Sequence, residues 1–188
     1  ENDFPYAIRV SSEIMESNGS TSMASVCAGT MSLLAAGVPL KRPVSGISVG
    51  LVTEFENEGD REPKRYETLL DIIGSEDFYG DMDFKLCGSE VGVTGYQLDL
   101  KLPGIPLYIL EEAIHLARKG RLQVLETMNA CISAPQKMSP NAPRIESTSI
   151  PQDRIGELIG PGGKNIKALQ ADGYLTLANI KKAAAEAF

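Results

Sequence analysis

The chain has 188 residues, 43% hydrophobic and 23% charged, enough for one sizeable core and a small second module. No apolar run approaches the roughly 20 residues of a membrane-spanning helix, and Glu-Asn-Asp-Phe-Pro-Tyr at the start has neither the basic nor the apolar region of a signal peptide. The net charge is −7; residues 142–188 hold six basic and five acidic side chains, leaving −8 on the remainder, which repels nucleic acid at long range unless metal ions or local basic patches intervene.

The amino-terminal pattern starts directly on a strand, pointing to a piece of a longer protein. Cys27, Cys87 and Cys131 are odd in number and widely spaced, which points to reduced thiols in a cytoplasmic compartment, with an organellar one left open, and opposes a zinc site. The single histidine, His115, falls in a helical pattern as a surface or packing residue, so a Ser-His-Asp centre is not expected.

Alternation of Phe4, Tyr6, Ile8 and Val10 predicts a strand over 4–10. Ser17-Asn18-Gly19-Ser20-Thr21-Ser22 then forms a hydroxyl-rich turn before a helix over 22–36, whose small apolar residues predict burial on nearly all sides. Free N–H groups and the positive end of the helix dipole make this turn an anion site. One hydroxyl suffices for simple capping, whereas Ser17, Ser20, Thr21 and Ser22 fall together, which favours phosphate. A buried strand follows over 44–52, with Gly46 and Gly50 as close-approach points. Residues 54–65 read as a charged hairpin tip, and 68–73 as the returning strand.

Ser75 to Lys85 concentrates four carboxylates, Glu76, Asp77, Asp81 and Asp83, with one ammonium, Lys85. From Asp81 onward polar and apolar residues alternate, so Asp81, Asp83 and Lys85 share a strand face. Such a row suits a divalent metal and a phosphate-bearing substrate; a solvated acidic loop leading into an edge strand is the other open reading. After a turn over 89–95, residues 96–102 repeat the pattern with Gln97, Asp99 and Lys101. An antiparallel hairpin would set both polar rows on one face, bringing Asp99 beside Asp83 and Lys85. Residues 106–132 are helical, with Gly120 expected to divide or bend them.

Pro135, Pro140 and Pro143 mark 133–143 as a linker between a domain of residues 1–132 and a module of residues 144–188. The module reads as a strand (144–150), a helix (152–159), Gly160-Pro161-Gly162-Gly163, a helix (164–171), a strand (174–178) and an Ala-rich helix. A Gly-x-x-Gly loop between helices can lie against a sugar-phosphate strand, with Lys164 and Lys167 at the start of the next helix; a corner needing glycine only for its backbone angles is the alternative.

Four strings in the first domain (4–10, 16–27, 80–85 and 97–105), with Ile159 to Lys167 in the second, resemble the polynucleotide phosphorylase family of the RNase PH-like superfamily. The resemblance implies an α+β fold: an RNase PH-like core, the second and catalytic one of that family, with mixed or antiparallel sheets packed by helices, then a truncated KH-type RNA-binding module. It implies 3′-to-5′ phosphorolysis of single-stranded RNA, releasing nucleoside diphosphates in mRNA degradation, and the reverse polymerisation. It further implies Mg2+ or Mn2+, inorganic phosphate as co-substrate, a homotrimer, and partners in an RNA-degradation complex, with no membrane. Residue by residue, Asp77 and Asp83 match the metal-binding aspartates and Lys85 the accompanying lysine. Ser20, Thr21 and Ser22 match the phosphate turn, and Gly160 to Lys164 with Lys167 the RNA-binding loop; Asp99 is added from strand pairing alone. The family's first core, its helical inter-core domain, an arginine- and histidine-containing segment before Phe4 and a following OB-type module have no counterpart here, and the KH region is short by about one strand. A non-catalytic RNA-binding or assembly subunit of the same fold is therefore the alternative function.

Overall fold

The computed structural model describes residues 4, 6–57, 59–142 and 149–171. The chain divides into two units, Glu1–Ala142 and Pro143–Phe188. In the first, α1 (Thr21–Ala35) precedes β1 (Ser45–Glu54), β2 (Arg65–Leu70), the short α2 (Gly74–Tyr79), β3 (Met82–Gly88), β4 (Val93–Leu100) and the long α3 (Leu107–Cys131). The strands form one antiparallel sheet in the order β2-β1-β3-β4.

The two faces of this sheet have separate uses. Ile47, Val49 and Leu51 of β1 and Met82, Phe84 and Leu86 of β3 point one way and form the core with Ile109, Ala113 and Ala117 of α3. Each large member of that cluster contributes roughly 1.5–3 kcal/mol by leaving water. The opposite face carries Gly46, Ser48 and Gly50 of β1 against α1 and the chain after β2. A Cβ on Gly46 would meet Met23 Sδ at 2.7 Å, and one on Gly50 would meet Ile72 Cγ2 at 2.6 Å. These two glycines are the close-approach points their spacing indicated.

Pairing in register sets Gly50 opposite Asp83 and Ser48 opposite Lys85. It also sets Asp99 opposite Asp83 and Gln97 opposite Lys85. Asp83 and Lys85 of one polar row and Gln97 and Asp99 of the other therefore share one face, while Asp81 and Lys101 fall just outside β3 and β4. β2 ends earlier than 73, because Asp71 turns the chain out of the sheet at a φ of 58°, and β4 starts earlier than 96, because Val93 already pairs with Gly88.

Three expectations fail. Residues 4 and 6–10 form no strand: their alternation specifies an extended backbone, but a ladder needs a partner, and this segment instead lies along α1, where the hydroxyls of Ser12 and Ser25 are 2.7 Å apart. α1 is not buried all round; only Thr30 and Leu34 are buried, since the sheet covers one side of the helix. Gly120 does not divide α3, which runs unbroken through it. Its missing side chain lets helix and sheet close, because a Cβ there would meet Ile47 Cδ1 at 2.6 Å and Leu70 Cδ1 at 2.8 Å.

His115 is exposed on α3, and the three cysteines are free. No helix among the described residues is long and apolar enough to cross a membrane. In the second unit, a 3-10 turn (Gln152–Arg154) leads into α4 (Ile155–Ile159), and α5 spans Lys164–Ala171. The strand expected over 174–178, the closing helix and most of the strand over 144–150 lie outside the described residues.

Candidate active site and nucleic-acid interface

The start of α1 and the polar sheet face enclose a cleft of about 340 Å3. Its lining includes Ser17 to Ser22 on one side and Asp77, Asp83 and Lys85 on the other, with Ile72 and Gly74 between them. Residues separated by more than 50 positions thus meet, and they comprise the hydroxyl turn and the three charged groups picked from the sequence. Asp99 is outside this lining; its side chain is 61% exposed, and its Oδ2 is 3.8 Å from Lys85 Nζ.

The four acids of the Ser75–Lys85 stretch have different work. Glu76 Oε2 accepts the Ile73 N–H at 2.9 Å, closing the start of α2. Asp81 Oδ2 accepts from both the N–H and the hydroxyl of Thr53 at 2.7 Å, pinning β3 to β1. Those carboxylates are occupied structurally. Asp77 and Asp83 face the cleft. The helix over 74–79 sends Glu76 and Asp77 to different tasks, and alternation alone did not reveal it.

Asp83 and Lys85 form the buried floor. Lys85 Nζ is 2.5 Å from Asp83 Oδ2, and the two side chains are 14% and 11% exposed. Burial draws the Lys85 pKa down, but the hydrogen bond and charge of Asp83, with the charges of Asp99 and Asp77, outweigh it and hold the ammonium above the ordinary lysine value. Lys85 is therefore cationic at neutral pH and loses its charge only in strongly alkaline solution, so it serves as a donor and counter-charge rather than a base. Asp83 Oδ1 is buried with no hydrogen-bond partner, as is the Oγ of Ser48. A buried carboxylate oxygen left unmatched is costly in isolation, and the residue that carries it lines the cleft.

The opposite wall is built for an anion. Ser20 is the N-cap of α1, yet its hydroxyl makes no capping bond to the helix; its Oγ lies 3.4 Å from that of Ser22. The first N–H groups of the helix also lack intrahelical acceptors. Hydroxyls, N–H groups and dipole thus remain available at one point, which weighs against simple capping. Gly19, with φ 134°, lets the turn press on the neighbouring backbone: a Cβ there would stand 2.5 Å from the Ile72 carbonyl oxygen. The close approach that Gly19 permits is to the protein's own main chain. Asn18 Oδ1 accepts the Gly74 N–H at 3.2 Å, tying turn to α2. Ile72 and Ser48 were not singled out in the sequence, and Asn18 only as part of the turn. An Asn before Gly signals a turn, but its partner 56 residues away leaves no local trace.

In the second unit, Gly160, Gly162 and Gly163 all have positive φ, of 72°, 59° and 77°. A Cβ on Gly162 would meet nothing within 4 Å, so that face of the loop is open, whereas one on Gly160 would strike Asn165 at 2.6 Å. Asn165 Nδ2 donates to the Glu157 carbonyl at 2.9 Å, clamping α5 to α4 across the loop. Lys164 and Lys167 are exposed three residues apart on α5. The loop presents open backbone followed by two cations, a surface suited to a sugar-phosphate strand.

Residues 145–173 match the KH domain family. Over 92% of its length the chain is 80% identical to a polyribonucleotide nucleotidyltransferase of Akkermansia muciniphila. It is 58% identical over 92% of its length to the enzyme of that name from Methylacidiphilum infernorum, and 52% identical over 95% to that from Treponema denticola. The chain spans 24% of the length of each of these relatives. Among solved structures it resembles rice (Oryza sativa) Rrp46 with a TM-score of 0.50 and 18% identity, over 62% of this chain and 50% of that one, a likeness of fold. Over nearly its whole length the chain is thus similar to one stretch of the polyribonucleotide nucleotidyltransferases, with an α+β core followed by a KH domain match.

Proposed function

We propose that the chain supplies the phosphorolytic centre and an RNA-binding module of a polyribonucleotide nucleotidyltransferase that shortens single-stranded RNA from its 3′ end. The observation that carries this reading is the cleft itself, where a hydroxyl turn whose Ser20 makes no capping bond faces Asp77, Asp83 and Lys85. The names and identity of the relatives support the same reaction, and the KH match supports RNA binding.

In this reaction an oxygen of inorganic phosphate attacks the phosphorus of the terminal phosphodiester. The bond to the preceding 3′-oxygen breaks, that oxygen takes up a proton, and a nucleoside diphosphate leaves. Ser20, Thr21 and Ser22, with the N–H groups of the first α1 turn, bind the incoming phosphate and offset its charge. Lys85 places a fixed positive charge near the phosphoryl group and the departing oxygen.

The unmatched Asp83 Oδ1 and the nearby Asp77 carboxylate fit Mg2+ or Mn2+, since Mg2+ is commonly held by one or two carboxylates plus water and substrate phosphates. Asp77 and Asp83 would hold the ion, which when bound supplies charge neutralisation at the phosphoryl oxygens. Asp99 holds Gln97, which donates to its Oδ2 at 2.7 Å, and adds negative charge near Lys85. The Gly160–Gly163 loop, Lys164 and Lys167 would hold RNA upstream. A homotrimer, a degradative complex and a cytoplasmic or organellar setting belong to this reading through the family resemblance.

The deciding experiment incubates the natural full-length protein with poly(A), inorganic phosphate and Mg2+ and measures ADP. Release requiring both phosphate and the divalent ion is expected. RNA binding without phosphate-dependent release would instead establish a non-catalytic subunit.

A further inference from the structure

Phe78 and Tyr79 are large, aromatic and open to solvent, at 73% and 81% exposure. Leaving two such rings in water forgoes the burial energy an aromatic side chain normally gains. They immediately follow Asp77, and Phe78 lies one helical turn beyond Gly74; Gly74, Asp77 and Phe78 thus share one side of α2 by their spacing. Gly74 and Asp77 line the cleft, which puts Phe78 at its rim.

The pair is firmly mounted. The rings pack edge to face, with centroids 4.9 Å apart and an interplanar angle of 83°. Lys101 Nζ donates to the main-chain carbonyl of Phe78 at 2.8 Å and also to that of Asp77. The ammonium thus holds the last turn of α2 from outside the cleft.

We infer that Phe78, braced by Tyr79, is a stacking platform for the base of the 3′-terminal nucleotide. This rests on the proposed reaction. A nucleotide with its phosphate at the floor of the cleft carries its base beyond the sugar, at the rim, where an apolar ring face is the group that engages any base. Stacking without hydrogen-bond readout holds purines and pyrimidines alike. Phe78 and Tyr79 are thereby positioning residues for the RNA end.

The test uses the natural full-length protein and an oligoadenylate ending in 2-aminopurine, whose fluorescence falls when the base stacks, alongside the same oligonucleotide with an abasic 3′ end. Wild-type protein is expected to quench the fluorophore and to bind the intact end more tightly than the abasic one. Phe78→Ala should abolish the quench, raise KM for RNA about tenfold with little change in kcat, and remove the preference for an intact end, and Phe78→Trp should restore all three. Equal preference in wild type and Phe78→Ala would overturn the inference. So would an altered oligomeric state in Phe78→Ala with the preference retained, which would make the pair a protein contact. A Phe78-dependent quench in a protein without phosphorolysis would support the platform and refute the reaction.

Discussion

At the scale of single residues, the cleft separates acids that the sequence presents as equals. Glu76 and Asp81 are consumed by the Ile73 and Thr53 groups, whereas Asp83 keeps one oxygen buried and unmatched. Asp83→Asn is expected to lower phosphorolysis at least about a hundredfold, the scale of losing one preorganised charge-stabilising group. RNA affinity measured by filter binding should stay near wild type, because the Gly160–Gly163 loop is unaltered. If affinity fell as far as rate, the assignment of Asp83 to the metal would be wrong. Alternation made Asp83 and Lys85 legible as a shared row, and the family resemblance chose Asp77. The alternation could not show that 74–79 is helical, which is what sends Asp77 inward and frees Glu76 to cap.

Cysteine chemistry gives a second residue-scale expectation. Cys27 packs against β1, where its sulfur accepts the Gly46 N–H at 3.4 Å, while Cys131 is exposed. Burial pushes the Cys27 thiol up, further raised by the Asp71 charge and only partly countered by the Gly46 hydrogen bond. Since only the thiolate reacts, iodoacetamide at neutral pH should modify Cys131 well before Cys27. The Cys27 rate should keep climbing beyond about pH 8.5, where an ordinary thiol levels off. The folded state favours the protonated thiol, so this group leaves stability unaffected below the unfolded pKa and lowers it as pH rises from that value towards the folded one. Mass spectrometry of peptides alkylated across a pH series measures the order and its slope.

At the scale of elements, the β3–β4 hairpin was readable because an alternating row has only one register that buries Met82, Phe84 and Leu86 together. The segment over 4–10 carries the same kind of pattern and forms no strand, since pairing depends on a neighbour that period-two alternation does not supply. Gly120 shows the reverse error: a glycine taken as a helix breaker serves packing, and only the positions of Ile47 and Leu70 reveal it. The mounting of α2 is testable at this scale. Lys101→Met keeps the apolar stem and removes the donor to the Asp77 and Phe78 carbonyls. Amide hydrogen exchange across 74–80 should accelerate, with the rest of the sheet unchanged. Unchanged exchange there would show that α2 holds its place without the lysine.

At the scale of the whole molecule, the chain forms two units, to which the proposed function gives separate tasks: phosphate chemistry in the cleft of the first and RNA backbone on the loop of the second. The Pro-rich stretch marked the region of that division, and the boundary after Ala142 falls at its end. The loop was readable because Gly-x-x-Gly names its own backbone requirement, whereas the Asn165 clamp depends on a carbonyl one helix away. Gly162→Asp places a carboxylate on the open face of the loop, where a Cβ meets nothing but the φ of 59° remains tolerable for aspartate. Affinity for long RNA should fall at least about tenfold through repulsion of the phosphates, while kcat on saturating RNA stays near wild type. A matching fall in kcat would mean that the loop is needed for turnover itself.

The contact between Gly19 and the Ile72 carbonyl has a practical corollary. The gauge of the cleft is set by main chain resting on main chain, together with Asn18 bridging to the Gly74 N–H. Asp77 takes no part in either contact, so it can be neutralised without removing them, whereas neutralising Asp83 or Lys85 alone leaves the other as a buried unpaired charge. An Asp77→Asn form should therefore keep the shape of the cleft while lacking one of the proposed metal ligands.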